Sequence, residues 1–170
     1  MKNKYTQSFL FLLAFCFAAP AMFAEAPKDV IKNDLVKAVD GNFVPATLDA
    51  NVKYIALYFS AKWCPPCRKF TPKLVEYYNS INAQEKQFEV VFCSADRDPE
   101  GMISYMSTYG MKWPALKYQS RDLLGHYAGD GIPCLVLIDA NTGKVISDSY
   151  IDGEYRSPYP VLEEIKALLK

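Results

Sequence analysis

Apolar positions recur along the chain with two periods, and the switches between them outline the elements. Between Lys28 and Asp40, Val30, Ile31, Leu35, Val36 and Val39 return at near-helical spacing and Gly41 supplies a stop, which predicts a helix packed across the domain. Phe43 to Ala46 reads as a short edge strand, a place where Pro45 costs no ladder hydrogen bond. Lys53 to Ser60 is almost continuously apolar and rich in strand formers, as a central strand covered on both faces should be. Phe70, Leu74, Tyr77, Tyr78 and Ile81 then share one face of a helix that carries Pro72 internally and is expected to kink there. Phe88 to Ser94 is the next strand. Asp98, Pro99 and Glu100 read as N-cap, first-turn proline and first-turn acid of a helix through Met102, Ile103, Met106 and Tyr109, closed by Gly110.

The C-terminal third continues the alternation. Ser120 to Tyr127 predicts a short helix, Cys134 to Asp139 a strand, residues 140–143 a turn, and Lys144 to Tyr150 a hairpin partner. Ser157 and Pro158 are expected to cap a last helix that buries Val161, Leu162, Ile165, Leu168 and Leu169. Strands repeatedly followed by helices indicate an α/β fold with crossover helices. No repeat, long linker or low-complexity stretch divides residues 27–170, so one domain is expected.

The first 26 residues differ in kind. Lys2 and Lys4 precede an apolar run from Phe9 to Ala19 and then small residues at Ala21, Ala24 and Ala26, the pattern of a secretory signal peptide. The run is short for a membrane span, so no anchor is expected after its removal, and Cys16 falls within its apolar core. This reading places the mature protein in the periplasm or outside the cell, as a monomer. The chain carries 19 basic and 19 acidic residues, and losing Lys2 and Lys4 leaves it slightly acidic. That balance argues against nucleic acid or anionic lipid as a partner.

The candidate chemistry is Trp63-Cys64-Pro65-Pro66-Cys67-Arg68, at the junction of the apolar strand and the following helix. Two thiols one helical turn apart reach bonding distance without distorting the backbone, and proline is tolerated where a helix begins. The partial positive charge of a helix start favours Cys64 as the thiolate that attacks disulfides, leaving Cys67, one turn further in, as the resolving thiol. A CxxC pair can also be half of a zinc site or a structural disulfide. A second tight pair of ligands is missing, because Cys93, Cys134 and the single His126 are scattered, so no metal is expected. No Gly-rich dinucleotide fingerprint follows a strand, so no flavin or nicotinamide cofactor is expected and an unidentified donor must supply electrons. His126 receives no role, and the abundant Tyr and Phe residues are read as core.

Three stretches, Tyr58 to Pro72, Met111 to Leu116 and Gly131 to Asp139, resemble the thioredoxin superfamily and, within it, the tryparedoxin and nucleoredoxin branch. The resemblance implies a thioredoxin-like fold, a central mixed β-sheet flanked by helices. It also implies that Pro133 is cis and lies against the disulfide, leaving the Ile132 backbone to pair with an extended substrate while Trp63 walls the site. Trp63, Pro65, Ile132 and Pro133 are therefore the expected substrate-binding residues, beside the catalytic pair Cys64 and Cys67. One departure matters: general thioredoxins have a buried acid six positions before the first cysteine, and this chain has Tyr58. Asp96 and Glu89 are near in sequence terms only and receive no catalytic role. Cys134, next to Pro133, is either a third thiol within reach of the pair or a small core residue. The implied function is an exported thiol–disulfide oxidoreductase that reduces disulfides of extracytoplasmic proteins. The alternatives are a specialised reductase serving cytochrome c maturation or a peroxidase, and a non-catalytic binding module of the same fold.

Overall fold

Tyr54–Ser60 (β3) runs through a seven-stranded mixed sheet, flanked by a parallel partner on one side and an antiparallel partner on the other. The computed structural model describes residues 25–80 and 87–169, so most of the expected signal peptide, Cys16 and Ile81 lie outside the described residues. The other strands are Leu35–Val39 (β1), Asn42–Pro45 (β2), Phe88–Ser94 (β4), Ala115–Leu116 (β5), Cys134–Asp139 (β6) and Val145–Asp148 (β7), in the spatial order β2-β1-β5-β4-β3-β6-β7. A separate hairpin pairs Tyr150–Ile151 (β8) with Glu154–Tyr155 (β9). The helices are Pro27–Ile31 (α1), Pro65–Ser80 (α2), Pro99–Tyr109 (α3) and Pro158–Leu168 (α4).

Side-chain alternation along β3, β4 and β6 sorts the core into two layers. Ala56, Tyr58, Val90, Phe92, Leu135 and Leu137 pack against Phe70 and Leu74 of α2, Met102, Tyr105 and Met106 of α3, and Val161, Leu162 and Ile165 of α4. Ile55, Leu57, Phe59, Val91, Cys93, Cys134, Val136 and Ile138 face the other way, toward Ile31, Val52, Leu116 and Leu124. Covering on both faces explains why these strands read as continuous apolar runs.

Register brings three chain segments to one sheet end. Ser60 lies opposite Ser94 in the parallel pair β3–β4, and Phe59 lies opposite Cys134 in the antiparallel pair β3–β6. Cys64 therefore follows the end of β3, Asp96 the end of β4, and Pro133 precedes the start of β6, all at the same edge. This is the carboxyl end of the parallel strands, where open α/β sheets hold their sites.

The helix expected from Lys28 to Asp40 is corrected. Only Pro27–Ile31 is helical; Leu35–Val39 is a strand that pairs Leu35 with Leu116 and Val36 with Ala115. Tertiary pairing overrides the helical spacing, and Asp40-Gly41, with φ of 49° and 75°, forms the two-residue turn into β2. The expected edge strand is β2, and Pro72 lies inside α2. The Ser120 to Tyr127 helix resolves into two 3₁₀ turns, Tyr118–Ser120 and Gly125–Tyr127. The Lys144 to Tyr150 strand ends at Asp148, because Tyr150 opens the separate β8–β9 hairpin. Asp98 accepts a hydrogen bond from Gly101 N–H as an N-cap, and Gly110 takes the left-handed C-cap, both as expected. Ser157 stands at the N-cap of α4 but makes no side-chain cap bond, and Leu168 is exposed rather than buried.

Candidate functional site

Cys64 and Cys67 form a disulfide with Cα atoms 5.2 Å apart, in the ordinary range for such bonds. Cys64 precedes the first residue of α2, and its carbonyl accepts the N–H of Arg68 at 3.1 Å. The N–H of Cys67 donates to Cys64 Sγ at 3.2 Å, so a free donor of the helix start points at that sulfur. Both cysteines are buried, Cys64 with a residual 3% exposure and Cys67 with none. The Ile132–Pro133 bond is cis, and the Ile132 carbonyl oxygen lies 3.6 Å from Cys64 Sγ. Trp63 is half exposed, and its indole N–H donates to the Ala95 carbonyl at 3.1 Å.

A cavity of about 790 Å³ opens beside the disulfide, with Trp63, Cys64, Pro65, Asp96, Arg121 and Ile132 in its lining. Of the residues expected from sequence, Cys64, Trp63, Pro65 and Ile132 meet at this cavity. Cys67 and Pro133 sit buried behind it. Glu89 does not belong to it: its carboxylate is near the opposite end of β4 and accepts from Tyr78 at 2.8 Å. His126 is exposed against the Tyr127 ring.

The residues around the pair match known proteins. A family profile described as thioredoxin-like matches residues 51–145. The chain belongs to the thioredoxin-like family. It is 40% identical over 118 residues to probable nucleoredoxin 1 of Arabidopsis thaliana, which covers 66% of this chain and 20% of that protein. The chain thus spans about a fifth of the nucleoredoxin's length. It is 41% identical over 99 residues to the tryparedoxin of Trypanosoma brucei brucei, covering 55% of this chain and 66% of that one. Among solved structures, the thioredoxin of Wuchereria bancrofti superposes with a TM-score of 0.61 at 33% identity, covering 85% of this chain and 99% of that one.

In this thioredoxin-like chain the position expected to hold a buried acid carries Tyr58, and a cluster of hydroxyls surrounds it. Tyr58, Ser60, Thr71 and Tyr105 are all buried. Thr71 Oγ1 donates to the Cys67 carbonyl at 2.9 Å, so the hydroxyls of Tyr58 (2.8 Å) and Tyr105 (2.5 Å) must donate to Thr71. Ser60 lies 3.0 Å from the Tyr58 oxygen and 3.1 Å from that of Tyr105, and donates into this pair. Every proton in the cluster has an acceptor, and the chain of donors ends on the first turn of the active-site helix. Burial pushes the Tyr58 phenol well above its ordinary range, and it raises Tyr105 too. The cluster is therefore neutral and holds the helix start in place without offering a base.

Asp96, singled out from the sequence but given no role there, is brought to the site by the fold. It is buried, accepts the Lys62 N–H at 2.8 Å and the Ser94 hydroxyl at 2.9 Å, and so ties the loop before Cys64 to the end of β4. Burial raises its pKa, opposed by these two donors. The only sequence signal was a carboxylate two residues past a buried strand, which becomes informative once the strand order is known. Cys134 packs in the layer of Phe59 and Val136, and burial pushes its thiol up to about 11. Cys93 lies in the same layer and burial raises it as well. Cys64 and Cys67 cluster with Ala61, and Ile132 packs against both that cluster and the layer that holds Cys134. Among the described residues no group of three or more His, Cys, Asp or Glu side chains is placed to hold a metal.

Proposed function

We propose that the protein is an exported thiol–disulfide oxidoreductase that reduces disulfides of extracytoplasmic proteins. The observation that carries this reading is the convergence of a dithiol pair, a helix start and the backbone of Ile132 at one cavity. In the reduced protein the Cys64 thiolate attacks one sulfur of a substrate disulfide; the other sulfur leaves as a thiolate and takes a proton from water. The Cys67 N–H steadies the charge on Cys64 before attack. Cys67 then attacks Cys64, forming the bond seen here, and its proton passes to the departing substrate sulfur. The neutral hydroxyls beneath Cys67 offer no base for that proton. Two electrons from an external donor restore the dithiol.

Export is supported by Lys2, Lys4, the apolar run from Phe9 to Ala19 and the small residues that follow. The burial of Cys93 and Cys134 suits an oxidising compartment, because neither thiol is open to stray pairing. Insulin reduction with dithiothreitol as donor tests the activity, and cell fractionation tests the location. The reading expects catalysed turbidity that Cys64→Ser abolishes, and a shortened chain outside the cytoplasm. A rate equal to the uncatalysed control overturns the first claim, and an uncleaved cytoplasmic chain the second.

A further inference from the structure

The carbonyl of Pro133, the residue just after the cis bond, is satisfied by a side chain from outside the main sheet. On that edge of β6 the ladder with β7 continues to Leu135, whose carbonyl accepts the Ser149 N–H at 3.0 Å. One step nearer the disulfide the neighbouring chain has turned away into the β8–β9 hairpin, through a turn with Asp152 and Gly153 at φ of 53° and 80°. There the phenol of Tyr155 donates to the Pro133 carbonyl at 3.0 Å. Tyr155 lies opposite Tyr150 in the hairpin, with ring centroids 5.2 Å apart, and the Tyr150 ring fills the space a side chain at Gly129 would need. The hairpin therefore bears on both ends of the segment that contains Ile132. Among the described residues the Ile132 N–H has no partner, and its carbonyl faces Cys64.

We infer that Tyr155 is a positioning residue for polypeptide substrates: its phenol occupies the last hydrogen-bond position on that edge of β6 and holds the cis-proline segment so that an extended chain pairs through Ile132, in line with Cys64. This rests on the oxidoreductase reading. The chemistry it serves is a disulfide flanked by peptide N–H and carbonyl groups. A small disulfide without a peptide backbone makes no use of Ile132 and should be indifferent to how firmly it is held.

The test compares full-length wild type with Tyr155→Phe, which keeps the ring against Tyr150 and removes only the donor. Steady-state reduction of insulin and of 5,5′-dithiobis(2-nitrobenzoate) is measured with the same donor. For insulin, kcat/KM should fall about three- to tenfold, mainly through KM, the loss expected when one hydrogen bond that orients the site is removed. For the small disulfide it should change less than about twofold, since only contacts to the peptide backbone are affected. Equal losses on both substrates, or no loss on insulin, overturn the role of Tyr155 while leaving the oxidoreductase reading intact. A wild type inert toward both substrates overturns that reading and the role of Tyr155 with it.

Discussion

Replacing Thr71 by valine keeps the side-chain shape and removes one oxygen from a place closed to solvent. That oxygen takes part in three hydrogen bonds, to the Cys67 carbonyl and with the phenols of Tyr58 and Tyr105. With it gone, both tyrosines can turn their protons to Ser60, at 3.0 and 3.1 Å, but the Ser60 proton then has no acceptor in the cluster. One orphaned buried donor costs about 1–3 kcal/mol and the net loss of a hydrogen bond about 1 more, giving about 2–4 kcal/mol in all. For a chain of this size each kcal/mol lowers the melting temperature by about 2–4 °C, so a fall of roughly 4–16 °C is expected. Tyr105→Phe is the control: Ser60 still donates to Tyr58, Tyr58 to Thr71 and Thr71 to Cys67, so no proton is orphaned and the cost should be about 1 kcal/mol. Equilibrium denaturation of the oxidised protein, followed by tryptophan fluorescence, measures both. Thr71→Val no more destabilising than Tyr105→Phe would refute the directed cluster.

Two further outcomes follow from the site. Cys64 of the reduced protein should be alkylated with a pH midpoint below the free-cysteine value of about 8.5, because the helix start and the Cys67 N–H favour its thiolate; a midpoint at or above that value removes this activation. Cys134→Ala should cost about 0.5–1.5 kcal/mol of stability, the usual loss for one buried heavy atom, and leave turnover unchanged. Slower inactivation by peroxide in that variant, or a Cys64–Cys134 linkage in peptide maps, contradicts the core assignment.

The parts of the fold legible in the sequence were those whose pattern is set by burial on both faces. Lys53 to Ser60, Phe88 to Ser94 and Cys134 to Asp139 read as strands because all but a few of their positions, Lys53, Tyr54, Glu89 and Asp139, are buried. The α3 ends were legible because Asp98 and Gly110 act locally, through a side-chain cap and a left-handed φ. β1 was not legible: Leu35 and Val36 keep a spacing compatible with a helix, and only pairing with β5, some eighty residues away, makes them a strand. The Asp40-Gly41 turn was the local signal that could have decided it. The redox pair, Trp63 and the cis Pro133 were legible from motif and resemblance. The hydroxyl cluster was not, because Tyr58 and Ser60, Thr71 and Tyr105 come from three elements and share a site only through packing. Asp96 received no role and Tyr155 was missed for the same reason, each acting on a loop distant in sequence.

The central claim is that Cys64 attacks protein disulfides and Cys67 resolves the intermediate. Non-reducing electrophoresis of cells carrying Cys67→Ser in place of the wild-type chain tests it most directly. That variant should accumulate mixed disulfides through Cys64 with extracytoplasmic proteins, and Cys64→Ser should accumulate none. Adducts on both variants, or on Cys64→Ser alone, would contradict the assignment.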